Sequence, residues 1–148
     1  MLHEKELTTF VDGTTNFFAV AAQQAASIGS PYLLEEALAL HEYSGLIDVS
    51  GKRQGVVCFT APKAMLAVLL MKMQETDFSH ETMRDLVGEV ANTISGNARR
   101  AFGGDFLISV PNVLSGETQS IAPRPGTRSF IIPINWRSHS AKLIVSLS

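Results

Sequence analysis

At 148 residues, 45% hydrophobic and 18% charged, the chain has the size and composition of one globular domain, residues 1–148, with a substantial core. A formal charge of -2 without basic or acidic blocks argues against nucleic acid or a membrane surface as partner. The longest apolar run, the eight residues Ala64–Met71, is too short to span a bilayer, and the first six residues lack the order of a signal peptide, so a cytoplasmic location is expected.

Residues 4–27 predict a helix, with Leu7, Phe10, Val11, Phe17, Phe18, Ala21, Ala22 and Ala25 on a broad apolar side and Gly29-Ser30-Pro31 as the stop. Residues 33–40 fit either a short helix or an extended lead-in. Residues 41–49 and 54–60 read as a hairpin about Ser50-Gly51-Lys52. Pro62 opens a helix to about Met73, whose buried face is Met65, Leu66, Leu69, Leu70 and Met73. After a link over 74–78, Ser79 is placed to cap a long helix that runs to Phe102 and stops at Gly103-Gly104.

Phe106–Val110 predicts a strand closed by Pro111, which cannot donate to a ladder. Residues 113–121 form a connection with room for a short strand, and 122–126 a loop flanked by Arg124 and Arg128. Two strands follow, 127–136 and 141–147, joined through Arg137-Ser138-His139-Ser140, with Trp136 half-buried. The order predicts an α+β fold, an antiparallel or mixed sheet covered by long helices. A faint echo suggests pseudo-duplicated halves: Asp12, Asn16 and Ala19 repeat the spacing of Asp85, Glu89 and Asn92. The first set has no Glu or Asn where the second has its pair, which points to one site per chain.

Cys58 is the only cysteine, so no internal disulfide forms, and its strand-like surroundings predict a buried thiol. His3, His41, His80 and His139 have no zinc-type spacing, and no metal is expected on this chain.

The helix over residues 85–102 is costlier than its core face requires. At about 100° per residue, Leu86, Val87, Val90, Ala91, Ile94, Ala98, Ala101 and Phe102 share one side. Asp85, Glu89, Asn92, Gly96, Arg99 and Arg100 share the other, with Glu89 and Asn92 one turn apart. Gly88 and Gly96 each lose roughly 1 kcal/mol against Ala in a helix interior. Asn92, Thr93, Ser95 and Asn97 are also weak helix formers. An ordinary solvated polar face is one reading. The other is an uncrowded surface that presents a carboxylate and a carboxamide to a partner, with glycines clearing bulk around them.

The run Gly88-Glu89-Val90-Ala91-Asn92-Thr93-Ile94-Ser95-Gly96-Asn97-Ala98 resembles the signature helix of the CheC/CheX/FliY chemotaxis phosphatases. Ser44-Gly45, Gly51, Gly55-Val56-Val57 and the helix after Ala61-Pro62 resemble the strand pair and following helix of CheX. Ile108–Gly116 resembles the family's strand and proline after the signature helix. The family pattern, Asp or Ser, Glu four residues on, Asn three further, is met by Asp85, Glu89 and Asn92. The resemblance is to the CheX-like type, with one effective site and a homodimer, without the extra flagellar-switch domain of FliY-like members.

What the resemblance implies is hydrolysis of the phosphoaspartate of a CheY-like response-regulator receiver. Asn92 would orient the attacking water, and Glu89 would bind a receiver lysine. Asp85 would help docking or simply favour the helix N-terminus, while Gly88, Gly96 and Arg99 complete the candidate partner-binding face. Mg²⁺ would belong to the partner receiver and no cofactor to this chain. The alternative is a non-catalytic receiver-binding module that uses the same face. A small metabolic enzyme is unsupported: the sequence carries no nucleophile–base pair, phosphate loop or metal constellation.

Overall fold

The computed structural model describes residues 2–116 and 119–148. The first helix, α1, spans Glu4–Ala21, shorter than its periodicity predicts. Ala22 and Ala25 continue the apolar spacing, but tertiary contacts take this segment over. The Trp136 indole N–H donates to the Gln24 carbonyl at 3.0 Å, and the chain then pairs as β1 (Ser27–Ile28) with residues 134 and 135. The ambiguous stretch 33–40 is extended rather than helical, giving β2 (Tyr32–Leu33) and β3 (Leu38–Ala39).

The predicted hairpin is β4 (Tyr43–Gly51) and β5 (Gly55–Ala61). Its turn lies two residues later than expected, because the end of β4 is held by a third strand: Gly51 faces Phe106, and the Lys52 N–H donates to the Asp105 carbonyl. Gly51 has φ +92°, and a Cβ there would meet the Asp105 oxygen at 2.2 Å, so the corner requires glycine. Next come α2 (Lys63–Lys72), with Pro62 at its N-cap, and α3 (His80–Phe102). The strands β6 (Phe106–Ile108), β7 (Asn112–Ser115), β8 (Ser120–Ile121), β9 (Arg128–Trp136) and β10 (His139–Leu147) complete the chain. Glu117 and Thr118, part of the predicted 113–121 connection, lie outside the described residues. β10 starts earlier than expected because Arg137, at φ 55°, turns the chain within two residues and Trp136 faces His139.

The pairings among the described residues are antiparallel, so the mixed alternative falls away. The main sheet runs β1-β9-β10-β5-β4-β6, with β2 beside β9 and β7 beside β4; β3 and β8 form a small second sheet. Strand alternation sends Ile47, Val57, Phe59, Ile132, Ile134, Leu143 and Val145 to one face, where α1, α2 and α3 cover them. The opposite face contributes Cys58, Ile131 and Ile144 to a smaller cluster closed by Leu34 and Leu40. Both faces of β5 are therefore covered, which explains its nearly unbroken apolar run. Burial pushes the Cys58 thiol up to about 12, so it stays protonated and acts as a small apolar side chain. Trp136 is fully buried rather than half-buried, packed on Phe18 with ring centroids 5.7 Å apart.

Candidate docking and catalytic face

The long helix α3 is fixed on the sheet at three levels. At its start, Ser79 caps it by accepting from the Thr82 N–H at 3.2 Å, and Asp77 accepts from the Ser79 N–H at 2.9 Å and from the Thr82 hydroxyl at 2.7 Å. These bonds hold the Asp77 carboxyl below its ordinary pKa, the Thr82 hydroxyl being the main cause. The Tyr43 hydroxyl of β4 pairs with His80 Nδ1 at 2.8 Å. In the middle, β4 and α3 touch backbone to backbone at Gly45 and Val87. At the end, Phe102 stacks on Phe106 with centroids 5.0 Å apart, and Gly103, at φ 96°, ends the helix.

This fixed rotation decides what the helix shows. Leu86, Val87, Val90, Ala91, Ile94 and Ala98 are buried. Asp85, Glu89, Asn92, Thr93, Arg99 and Arg100 are exposed, and Gly96 is half-buried. Glu89 and Asn92 thus lie one turn apart on the same solvent-facing side. Ala101 departs from the predicted apolar side and is exposed.

Gly88 is not open surface as its polar-side placement predicts: it is buried. A Cβ there would stand 3.1 Å from Val113 Cγ2 and 3.3 Å from Pro111 Cβ, so the missing side chain makes room for this chain's own β7 strap. Gly96 differs, since a Cβ there would meet nothing within 4 Å. Arg84 ties the strap to the helix, donating to Ser115 Oγ at 2.8 Å and to the Val113 carbonyl at 3.3 Å. The result is a shallow, open depression lined by Arg84, Asp85, Gly88, Glu89, Asn92, Pro111 and Val113. Further along the helix, a second shallow depression is lined by Gly96, Arg99, Arg100, Gly103 and Ile108. The first holds the carboxylates of Asp85 and Glu89 beside Arg84, whereas the second carries only basic charge, from Arg99 and Arg100.

Sequence reasoning missed Arg84 and the Pro111–Val113 wall. Only the proline after α3 signalled that the chain folds back here. Asp12, Asn16 and Ala19 are exposed on α1. Among the described residues, no three His, Cys, Asp or Glu side chains stand close enough to hold a metal ion, and no helix is long and apolar enough to cross a membrane.

Residues 43–135 match the sequence model of the family described as chemotaxis phosphatase CheX, and this chain belongs to that family. The fold is shared with solved structures across almost its whole length. A CheC-like superfamily protein from Shewanella sp. PV-4 superposes with a TM-score of 0.88 at 26% identity, covering 99% of each chain. The chemotaxis protein CheX from Vibrio vulnificus gives 0.85 at 22% identity, over 97% of this chain and 99% of that one. CheX in a CheX-CheY-BeF3-Mg²⁺ complex from Borrelia burgdorferi gives 0.77 at 19% identity, over 96% and 97%. No curated protein matches by sequence.

Proposed function

We propose that this chain, as a single domain, hydrolyses the phosphoaspartate of a CheY-like response-regulator receiver that docks on the exposed face of α3. The observation that carries the reading is the shared outward placement of Glu89 and Asn92, in a member of the CheX family, beside a depression open enough for a folded partner. The Borrelia burgdorferi CheX bound to CheY supports a receiver as that partner.

The chemistry needs little from this side. An aspartyl phosphate is an activated acyl phosphate, so no enzyme nucleophile is required. The remaining task is to hold one water in line with the phosphorus. Asn92 supplies a carboxamide oxygen that accepts a hydrogen bond from that water and orients it. Being neutral, it does not repel the phosphoryl oxygens. Water oxygen then bonds to phosphorus, the phosphorus–carboxylate bond breaks with its electron pair on the receiver Asp carboxylate, and both water protons leave on the inorganic phosphate, as dihydrogen phosphate, before it equilibrates with solvent. Glu89, exposed one turn away, pairs with a receiver lysine and sets the register between the two proteins. Mg²⁺ in the partner receiver would neutralise phosphoryl charge.

Asp85 and Arg99, at opposite ends of the face, align the receiver by charges of opposite sign, and Gly96 lets it approach the helix closely. Gly88 serves the face indirectly by seating Pro111 and Val113. The reading places the protein in the cytoplasm as a homodimer, for which the half-exposed Tyr32 and Leu33 offer apolar surface at the sheet edge. The test is the decay of phosphorylated receivers from the same cell with and without the protein; acceleration of one of them is expected, and unchanged decay of all of them contradicts the reading.

A further inference from the structure

The strand that walls the α3 depression contains one residue too many. Val49 of β4 faces Ile108, but Leu46 faces Asn112, so three steps along β4 are matched by four along the opposing chain. The extra residue falls at Val110-Pro111, opposite Ile47, and makes a β-bulge between β6 and β7. A bulge reverses the alternation of the strand. Without it, the residues two and four beyond Ile108 would share its side. With it, Ile108 lines the depression at Gly96 and Arg99, while Pro111 and Val113 line the one at Gly88, Glu89 and Asn92. Val110, between them, is turned out and is 81% exposed, the most exposed large hydrophobic side chain among the described residues.

The bulge is pinned rather than loose. The Ser109 N–H donates to the Asp48 carbonyl at 2.9 Å, and the Asp48 N–H donates to Ser109 Oγ at 2.9 Å. The Ser109 hydroxyl then donates to the Val110 carbonyl at 2.8 Å. Pro111 has no N–H to leave unpaired where the ladder is broken. A single exposed apolar residue ordinarily needs no explanation. Val110 differs because three hydrogen bonds at Ser109 and a register shift fix it in the chain between Ile108 and Pro111, which line the two depressions along α3. Bulges beside active sites re-aim side chains in this manner.

We propose that Val110 is a specificity-determining contact for the receiver, an apolar knob that enters the interface next to Asn92 and Gly96. This rests on the phosphatase reading above. The polar face of α3 offers charge and hydrogen bonds but no apolar anchor. Interfaces draw much of their affinity from a few apolar or aromatic residues that become desolvated on docking. Val110 acts on docking, not on the reacting atoms.

The experiment measures steady-state kcat and KM against the receiver that the wild-type chain dephosphorylates, with receiver phosphorylated from acetyl phosphate. Val110→Asp is expected to raise KM about tenfold while kcat stays within about twofold. Val110→Ile should retain the wild-type KM, and both variants should keep the wild-type melting temperature, because the side chain is exposed. A Val110→Asp protein with an unmoved KM, or with kcat reduced at constant KM, overturns the proposal while leaving the phosphatase reading intact. A wild-type chain that accelerates no receiver's decay overturns both.

Discussion

Gly45 of β4 and Val87 of α3 meet with no side chain between them: a Cβ at residue 45 would lie 2.4 Å from the Val87 carbonyl oxygen and 2.9 Å from its carbon. Neither atom belongs to a flexible side chain, so nothing yields cheaply. Gly45→Ala must therefore lift or rotate α3, and with it Glu89 and Asn92. We expect a loss of about 2–3 kcal/mol in chemical denaturation, the cost of overpacking against backbone. Receiver turnover should fall alongside it. A variant as stable as wild type would show that this contact does not set the helix position.

Gly96 predicts the opposite sign for stability. A Cβ there touches nothing, so Gly96→Ala should stabilise the protein by about 1 kcal/mol through helix propensity alone. If the face docks a partner closely, the same methyl should weaken receiver binding. Higher melting temperature with lower affinity is the expected pair of results. Unaltered affinity would mean that the receiver does not approach α3 at this point.

Glu89 is assigned to a charge pair across the interface. Glu89→Gln keeps the shape and removes the charge, so binding should weaken by about tenfold at low salt, and by less as salt screens the wild-type pair. Titrating binding against ionic strength checks this. Parallel salt slopes for wild type and variant would remove Glu89 from the pairing.

The start of α3 carries its own pH dependence. Asp77 is held below its ordinary pKa by the Thr82 hydroxyl and the Ser79 N–H. Its contribution is present above the unfolded pKa, near 3.8, and is lost as pH falls through the lower folded value. Denaturation midpoints of wild type and Asp77→Asn should differ at pH 7 and converge at the acid end. Ser79→Ala should cost about 1 kcal/mol through the lost cap and should also bring the Asp77 pKa back toward its ordinary value, since the Ser79 side chain helps to lower it.

Periodicity went furthest where one physical force dominates. The long amphipathic α3, the covered strand β5 and the β9–β10 pair follow directly from apolar spacing, and so does the outward placement of Glu89 and Asn92. The limits of α1 did not follow, because Ala22 and Ala25 suit a helix as well as they suit the turn that Trp136 anchors. The burial of Gly88 does not follow from spacing, because helical periodicity reports the angle around the axis and not what another segment lays over it. The bulge at Val110-Pro111 has no local signature beyond the proline, since it exists only in the register against β4. Arg84 was invisible for the same reason: its partners Ser115 and Val113 lie far along the chain.

The central claim is that Asn92 directs water onto a partner's phosphoaspartate. Its most direct measurement is the single-turnover decay of the phosphorylated receiver with saturating wild type and with saturating Asn92→Ala, beside the affinity of each for the beryllofluoride-loaded receiver. The account predicts that Asn92→Ala returns decay to the receiver's own rate, a loss on the order of a hundredfold, while affinity stays within about threefold because the carboxamide contributes little to docking. An Asn92→Ala protein that still accelerates decay like wild type would contradict it.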